Sequence, residues 1–323
     1  MIRFGIMGAG IIANVMASTL EKISKAQAYA VGSRNIEKAE DFRRKHSMIK
    51  AYGSYEELVR DEKVDIVYIC TPHSFHYENA KLCLEHGKNV LCEKPFTVNK
   101  AQARELIQLA EDKGLFLCEA MWTRFMPLAD KLKKLTDSRI VGEAMSMTAN
   151  LNSAMMHIDR LVNPNLAGGA LLDIGIYPLT IASIVMGDDI EKIKAAAVLT
   201  EEGVDKTGQY TIFYKNGKMA DLNSGICSLS DGNAVIYCTE GFIVVEAVNR
   251  LNGIRVMNRD FSEIAYYPRG EQISGYEFEV YACIEALENN KKECNKMSHA
   301  QTLTMMEQMD EIRRQMKVRY PFE

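Results

Sequence analysis

Ile2-Arg3-Phe4-Gly5-Ile6-Met7-Gly8-Ala9-Gly10-Ile11-Ile12-Ala13 opens the chain as an apolar run that breaks at two glycines. The run from Ile2 to Met7 predicts a strand, and the pattern from Ile11 to Lys22 predicts a helix. Gly8 to Ala13 match G-x-G-x-x-A in the setting that gives this motif meaning, after a strand and at the opening of a helix. Gly8 permits a tight turn, Gly10 lets the backbone approach a pyrophosphate, and Ala13 allows close helix–strand packing. The helix N-terminus adds N–H groups and a partial positive charge. Dinucleotide binding at Gly8, Gly10, Ile11 and Ile12 is therefore expected. The bland alternative is a plain strand–helix turn.

Beyond this motif, short apolar runs alternate with helical patterns through about residue 120. Strands are expected at Gln27 to Gly32, Asp65 to Cys70, Asn89 to Cys92 and Leu115 to Glu119. Helices are expected at Ile36 to His46, His73 to His86 and Lys100 to Lys113. That alternation predicts a parallel sheet.

The second strand ends in Val31-Gly32-Ser33-Arg34, with Lys38 one turn on. An NAD site usually places an acidic residue there, on the ribose 2′-hydroxyl. A hydroxyl, a guanidinium and an ammonium suit a 2′-phosphate better, so NADP is preferred over NAD. The alternative has Ser33 capping the next helix and Arg34 in solvent. Thr71-Pro72 follows the Asp65 to Cys70 run, at the carboxyl edge where open α/β sheets bind ligands. His73 and His76 come next. Without a third ligand they read better as packing histidines than as a metal pair, although His76 stays among the residues expected at the cofactor edge. Glu93-Lys94-Pro95 follows the next strand at the same edge. A lysine there can bind a substrate hydroxyl and favour its deprotonated form.

The second half has a different pattern. Met126 to Leu135 and Leu171 to Met186 read as helices, the latter despite Pro178, and Gly142 to Leu151 as extended. Strand-like runs then follow at Lys194 to Leu199, Gln209 to Tyr214, Lys218 to Asn223, Ala234 to Cys238, Phe242 to Ala247 and Ile254 to Asn258. Asn216-Gly217 is a hairpin signal. Successive strands without intervening helices predict a mostly antiparallel sheet. Two helices, Tyr276 to Asn289 and Ser298 to Lys317, close the chain. The expected architecture is α/β, with a dinucleotide-binding domain at residues 1–120 and a substrate-binding and oligomerisation domain at 121–323. Loops 151–166 and 260–274 are expected to set substrate specificity. Between residues 209 and 214, Tyr210, Ile212 and Tyr214 share one side, and Thr211 and Phe213 share the other. Apolar residues on both sides suggest a dimer interface.

Composition narrows the alternatives. The 323 residues are 47% apolar and 25% charged, ordinary for a globular protein. The net charge of −4 argues against a nucleic-acid partner. No run of about 18 apolar residues is read, so no membrane span is expected. The N-terminus reads as a strand, not a secretion signal. None of the eight cysteines is spaced C-x-x-C. Cys70, Cys92 and Cys118 each sit inside an apolar run and read as small buried hydrophobes of a reducing cytoplasm.

Gly168-Gly169-Ala170-Leu171-Leu172-Asp173-Ile174-Gly175-Ile176-Tyr177 is the second informative stretch. Asp173 and Tyr177 are spaced i, i+4 and share a helix face. A carboxylate and a phenol together can orient a polyol and exchange a proton with it. A phenol ordinarily titrates near ~10, and a lysine cation nearby would lower that. The alternative is a packed Tyr beside a helix-starting Asp.

In this order, the Gly-rich turn, Thr71-Pro72, Glu93-Lys94-Pro95 and the Gly-Gly-x-x-x-Asp-x-Gly-x-Tyr segment resemble the glucose–fructose oxidoreductase / inositol dehydrogenase (Gfo/Idh/MocA) family over nearly the whole chain. Glu119-Ala120-Met121-Trp122-Thr123-Arg124-Phe125 and Arg160 look most like its dihydrodiol dehydrogenase and aldose dehydrogenase branch. Tyr177, where many relatives carry His, fits that branch and not inositol dehydrogenases. Ala167 stands where the branch often starts a third glycine.

The resemblance implies an open C-terminal sheet that joins subunits into a homodimer or homotetramer, and a cis Pro95. It implies Lys94 on the reacting hydroxyl and an acid–base pair at Asp173 and Tyr177, with Trp122 and Arg124 near the nicotinamide. It further implies an NAD(P)-dependent dehydrogenase acting on a carbinol carbon of a sugar, polyol or trans-dihydrodiol. Two alternatives stand beside it: a tightly bound dinucleotide cycling through oxidation states during glycoside elimination or hydrolysis, and a non-catalytic nucleotide sensor.

Overall fold

Six strands carry the opening pattern: β1 (Ile2–Met7), β2 (Ala26–Gly32), β3 (Lys50–Tyr52), β4 (Ile66–Ile69), β5 (Asn89–Glu93) and β6 (Leu117–Ala120). In the computed structural model, which describes residues 1–323, they form one parallel sheet in the order β3-β2-β1-β4-β5-β6. The helices between them are α1 (Ile11–Leu20), α2 (Ile36–Lys45), α3 (Tyr55–Arg60), α4 (His76–Glu85) and α5 (Lys100–Lys113). All four residues of β4 are buried, as a strand covered on both faces requires. Local chemistry sets the helix ends. Asn35 accepts from Lys38 N at 2.9 Å to start α2, and Asn99 accepts from Gln102 N at 3.0 Å to start α5. The strand order reverses between β1 and β4, which puts a ligand crevice at their carboxyl ends.

The remaining elements begin with α6 (Trp122–Phe125), α7 (Pro127–Asp137), β7 (Ala144–Asn152), α8 (Asp159–Val162) and α9 (Ile176–Met186). The later strands are β8 (Ile190–Leu199), β9 (Asp205–Tyr214), β10 (Met219–Gly225), β11 (Ala234–Cys238), β12 (Gly241–Glu246), β13 (Gly253–Asn258) and β14 (Glu263–Pro268). With β7 they form an eight-stranded sheet in the order β14-β13-β12-β11-β7-β10-β9-β8. Every pairing is antiparallel except β7 with β10. The Asn216-Gly217 turn joins β9 to β10, with Tyr214 N donating to Lys218 O at 3.0 Å. One face of this sheet buries Tyr210, Ile212, Tyr214, Leu222, Ile236 and Ile243, and α9 packs on β7 and β10. Helices α10 (Glu277–Glu288) and α11 (His299–Met316) close the chain.

Four expectations change. The chain divides into one unit of Met1–Phe125 with Gln272–Leu303 and another of Met126–Glu271 with Thr304–Glu323. The boundary expected at residue 120 therefore has a second crossing near residue 271. The returning segment is bound by long-range contacts that local pattern does not carry. Leu117 N donates to Lys292 O at 2.9 Å, and the Thr302 hydroxyl donates to Glu119 Oε2 at 2.9 Å. Second, the stretch expected as loop 260–274 contains β14, an edge strand paired only with β13. Third, the helix from Leu171 opens as a wide π turn, Leu171–Gly175, before α9 begins. Fourth, Pro164–Met186 is long enough to cross a membrane and contains an 18-residue window of mean hydropathy 1.7, but 94% of that window is buried inside the protein. It is a core helix.

Candidate active site

In the first unit the chemistry collects at the carboxyl ends of neighbouring strands. β1 runs into Gly8, whose φ of +107° only glycine adopts cheaply, and Gly8 N donates to Gly32 O at 3.0 Å. A Cβ at Gly10 would meet no atom within 4 Å, so the turn is open on that side. Helix α1 starts there with no side-chain cap and no acidic residue in its first turn. Its unpaired amides and positive dipole end fit a pyrophosphate. Ile11, 84% exposed, and Ile12 border the turn. These features fit a bound dinucleotide.

At the end of β2, Ser33 is buried and its Oγ accepts from Asn35 N at 3.3 Å. Asn35, not Ser33, caps α2, so the capping alternative for Ser33 does not hold. Arg34 is exposed, with its guanidinium 5.5 Å from the Phe75 ring centroid. Lys38 lies in the first turn of α2, also exposed. A cation flanked by a hydroxyl at this strand end suits a 2′-phosphate.

The Glu93-Lys94-Pro95 turn is held from three sides. Glu93 Oε2 accepts from Lys94 N at 3.1 Å, and Glu93 Oε1 accepts from the buried Tyr68 hydroxyl. Glu119 Oε1 accepts from Phe96 N at 3.2 Å. His76 Nδ1 lies 2.8 Å from Pro95 O and its Nε2 lies 2.9 Å from Thr71 O. The Lys94–Pro95 bond is cis, as the resemblance implies. Thr71 Oγ1 accepts from Asn79 at 2.9 Å, which ties the Thr71-Pro72 turn to α4.

His76 is fully buried, with both ring nitrogens on backbone oxygens. It therefore ties the Thr71-Pro72 turn to the Glu93-Lys94-Pro95 turn. Burial depresses its basicity to about 4, so the ring is neutral and donates through one nitrogen only. Burial likewise pushes the Glu119 carboxyl up to about 7, against the Thr302 hydroxyl, the Phe96 N–H and the nearby Arg124 cation. Trp122 is buried and stacks on Tyr276 with centroids 4.8 Å apart.

In the second unit, Asp173 lies in the π turn and Tyr177 at the start of α9, and both are buried. Arg160 Nη1 donates to Asp173 Oδ1 at 2.9 Å, which directs one carboxylate oxygen. Leu171 N donates to Asp205 Oδ2 at 2.7 Å, and the Tyr320 hydroxyl donates to Gly168 O at 2.7 Å. Tyr276, Asp205 and Tyr320 had no local signal, and Glu119 stands out only within the segment that carries the resemblance. Arg160 stands out only through the resemblance.

The first unit is a dinucleotide-binding fold, and the second carries a buried carboxylate and phenol with a partly exposed guanidinium on the carboxylate. Together they define a two-domain oxidoreductase. Residues 2–120 match the profile of the oxidoreductase family with an NAD-binding Rossmann fold, and residues 129–244 match the GFO/IDH/MocA C-terminal domain. The chain belongs to the GFO/IDH/MocA oxidoreductase family and binds a nicotinamide dinucleotide.

Among its relatives, the trans-1,2-dihydrobenzene-1,2-diol dehydrogenase of Xenopus laevis is 34% identical, covering 99% of both chains. The human enzyme of that name is 32% identical, covering 99% of this chain and 98% of its own. A 3-ketoreductase from Actinomadura kijaniata, solved with NADP and TDP-benzene, superposes with a TM-score of 0.89 at 24% identity over 98% of both chains. The aldose-aldose oxidoreductase of Caulobacter crescentus, solved with glycerol, gives 0.89 at 18% identity over 98% of this chain and 97% of its own. At such identities these two structures bear on the fold alone.

Proposed function

We propose that this oxidoreductase transfers a hydride between NADP and a carbinol carbon of a vicinal diol, cyclic polyol or sugar. When bound, the nicotinamide supplies the hydride chemistry. Lys94 holds the reacting hydroxyl and stabilises the oxyanion as it develops. Tyr177 takes the hydroxyl proton in the oxidative direction, and Asp173, directed by Arg160, orients the substrate or Tyr177. Trp122 and Arg124 border the nicotinamide. The Gly8-to-Ile12 turn holds the pyrophosphate, and Ser33, Arg34 and Lys38 receive the 2′-phosphate, which favours NADP over NAD. Thr71-Pro72 and Glu93 line the same strand ends. The observation that carries the reading is the Asp173–Arg160 pair beside Tyr177 on a buried helix start. A sensor needs the dinucleotide turn but not this pair. The dihydrodiol activity named for the relatives supports the diol class.

The outer face of the eight-stranded sheet supports a homodimer or homotetramer. Tyr237 pairs with Phe242 and Phe242 with Met257 in register, and Phe213 pairs with Met219 on the same side. All of these are at least partly exposed. Sedimentation as a monomer at working concentration would overturn this assembly. All eight cysteines are free thiols, which supports a reducing cytoplasmic setting.

The test is absorbance at the reduced-nicotinamide band, with NADP and then NAD, over aldoses, inositols and trans-diols. Reduction with one class supports the reading and names the substrate group. Silence with tight dinucleotide binding supports the closed redox cycle or the sensor instead.

A further inference from the structure

We propose that Asp205 is a positioning residue for the reaction, holding in place the backbone from which Asp173 and Tyr177 project. This rests on the roles assigned above to those two side chains. Asp205 opens β9 and is fully buried, and it reaches back 34 residues to accept from Leu171 N at 2.7 Å. Leu171 is the first residue of the π turn that contains Asp173. A helix start leaves its first amides without intrahelical partners, and here no local side chain caps them. The carboxylate from β9 does so instead, with the Ala170 N–H also facing it.

The surroundings are shaped for this grip. Gly169 has φ +114°, and a Cβ there would collide with Asp205 Oδ1. The next residue back, Gly168, gives its carbonyl oxygen to the Tyr320 hydroxyl at 2.7 Å. Tyr320 lies under the Arg313 guanidinium, 4.9 Å from its ring centroid, and Arg313 grips both oxygens of Glu323 at 2.7 Å. At the far end of the π turn, a Cβ on Gly175 would press on Tyr210 Oη at 2.8 Å and Ser224 Oγ at 2.9 Å. The turn is therefore braced at both ends, and Asp205 is the brace whose carboxylate holds its first amide. π turns are rarer than α turns and recur at functional sites.

The charge makes the role measurable. Burial pushes the Asp205 carboxyl up to about 7, against the Leu171 and Ala170 N–H groups, its own N–H and Arg313. The titratable groups facing it are Arg313 on α11, Tyr210 on β9 and Tyr320 near the C-terminus, with Glu323 beside Arg313. Ionised, the carboxylate makes a charge-assisted bond to Leu171 N. Protonated, it makes a weaker one.

The experiment compares Asp205→Asn with the parent enzyme in kcat, KM and dinucleotide affinity across pH, with Tyr177→Phe and Asp205→Ala alongside. Asparagine still accepts from Leu171 N but cannot ionise. The parent-to-Asn ratio of kcat should rise from about 1 at about pH 5.5 to about 10 at about pH 8.5, with dinucleotide affinity unchanged. If Asp205→Ala folds, its kcat should fall about 100-fold at all pH. If it does not fold, the asparagine series decides alone. A parent-to-Asn ratio that is flat with pH, or a loss confined to dinucleotide affinity, would overturn the inference. Should Tyr177→Phe keep parent turnover, the proposed function itself fails. If it is inactive while the Asn ratio is flat, only the role of Asp205 fails.

Discussion

Arg160 Nη1 lies 2.9 Å from Asp173 Oδ1, a pairing across 13 residues that fixes the direction of a buried carboxylate. Arg160 is itself partly exposed, so its worth is directional more than energetic. Replacing Arg160 with Ala leaves the carboxylate with one fewer donor and a freer rotamer. Turnover should fall about 10-fold through kcat, because misorientation of a reacting group costs that order. Dinucleotide affinity should not move. Steady-state kinetics with separate cofactor titration would show this.

Lys94 sits on a turn gripped by Glu93, Glu119 and His76, so its backbone does not depend on its own side chain. Lys94→Met should fold and bind dinucleotide normally yet lose about 10²–10⁴-fold in kcat, the usual reach of a proton-handling or oxyanion-stabilising group. Near-normal turnover with intact binding would remove Lys94 from the chemistry.

Arg34 is exposed at the end of β2 and stacks near Phe75. If it pairs with the 2′-phosphate, Arg34→Ala loses a charge-assisted bond of about 1.5–3 kcal/mol, or roughly 10- to 100-fold in affinity for NADP. Affinity for NAD should stay the same. An equal loss for both dinucleotides would assign Arg34 a structural role.

Glu119 is pushed up to about 7 by burial, above its ordinary value of 4.5. Its folded form holds a proton that the unfolded chain has released, so the stability it contributes is full below pH 4.5. That contribution is lost as pH rises through about 7. Glu119→Gln keeps an acceptor for Phe96 N but removes the titration. The variant should gain on the parent as pH rises across this window, at up to about 1.4 kcal/mol per pH unit, in denaturant melts at fixed pH. His76 acts at the other end. Its basicity is depressed to about 4, so the stability it contributes is present above pH 6.5 and is lost as pH falls through about 4.

Ala167 adopts φ +55° and ψ +48°, a left-handed conformation that costs a Cβ-bearing residue about 1–2 kcal/mol. Ala167→Gly should relieve this, less the added freedom of the unfolded chain, for a net gain of about 0.5–1 kcal/mol in denaturant melts. Activity should be unchanged, because the change falls in the turn before Gly168.

The two motifs on which the proposed chemistry rests were legible because each is local. Gly8 to Ala13 sits between a strand and a helix, and Gly168 to Tyr177 presents Asp173 and Tyr177 on one turn. The parallel sheet followed from alternation of apolar runs and helices. What escaped was short or long-range. β3 has three residues. β14 is an edge strand, where pairing on one side only weakens the apolar pattern. The return of Gln272–Leu303 to the first unit depends on partners such as Glu119 and Thr302, 183 residues apart. Asp205 grips Leu171 from another strand, and no spacing rule reaches that far. The π turn also escaped, because its residues are as apolar as those of an α-helix.

The most direct test of the account follows the hydride itself. A trans-diol or cyclic polyol deuterated at its carbinol carbons is incubated with the enzyme and excess NADP, and the released dinucleotide is weighed by mass spectrometry. The account predicts reduced dinucleotide that has gained one deuterium, accumulating with turnover and absent with Tyr177→Phe. Dinucleotide recovered oxidised and unlabelled, while the substrate is consumed or left intact, would contradict it.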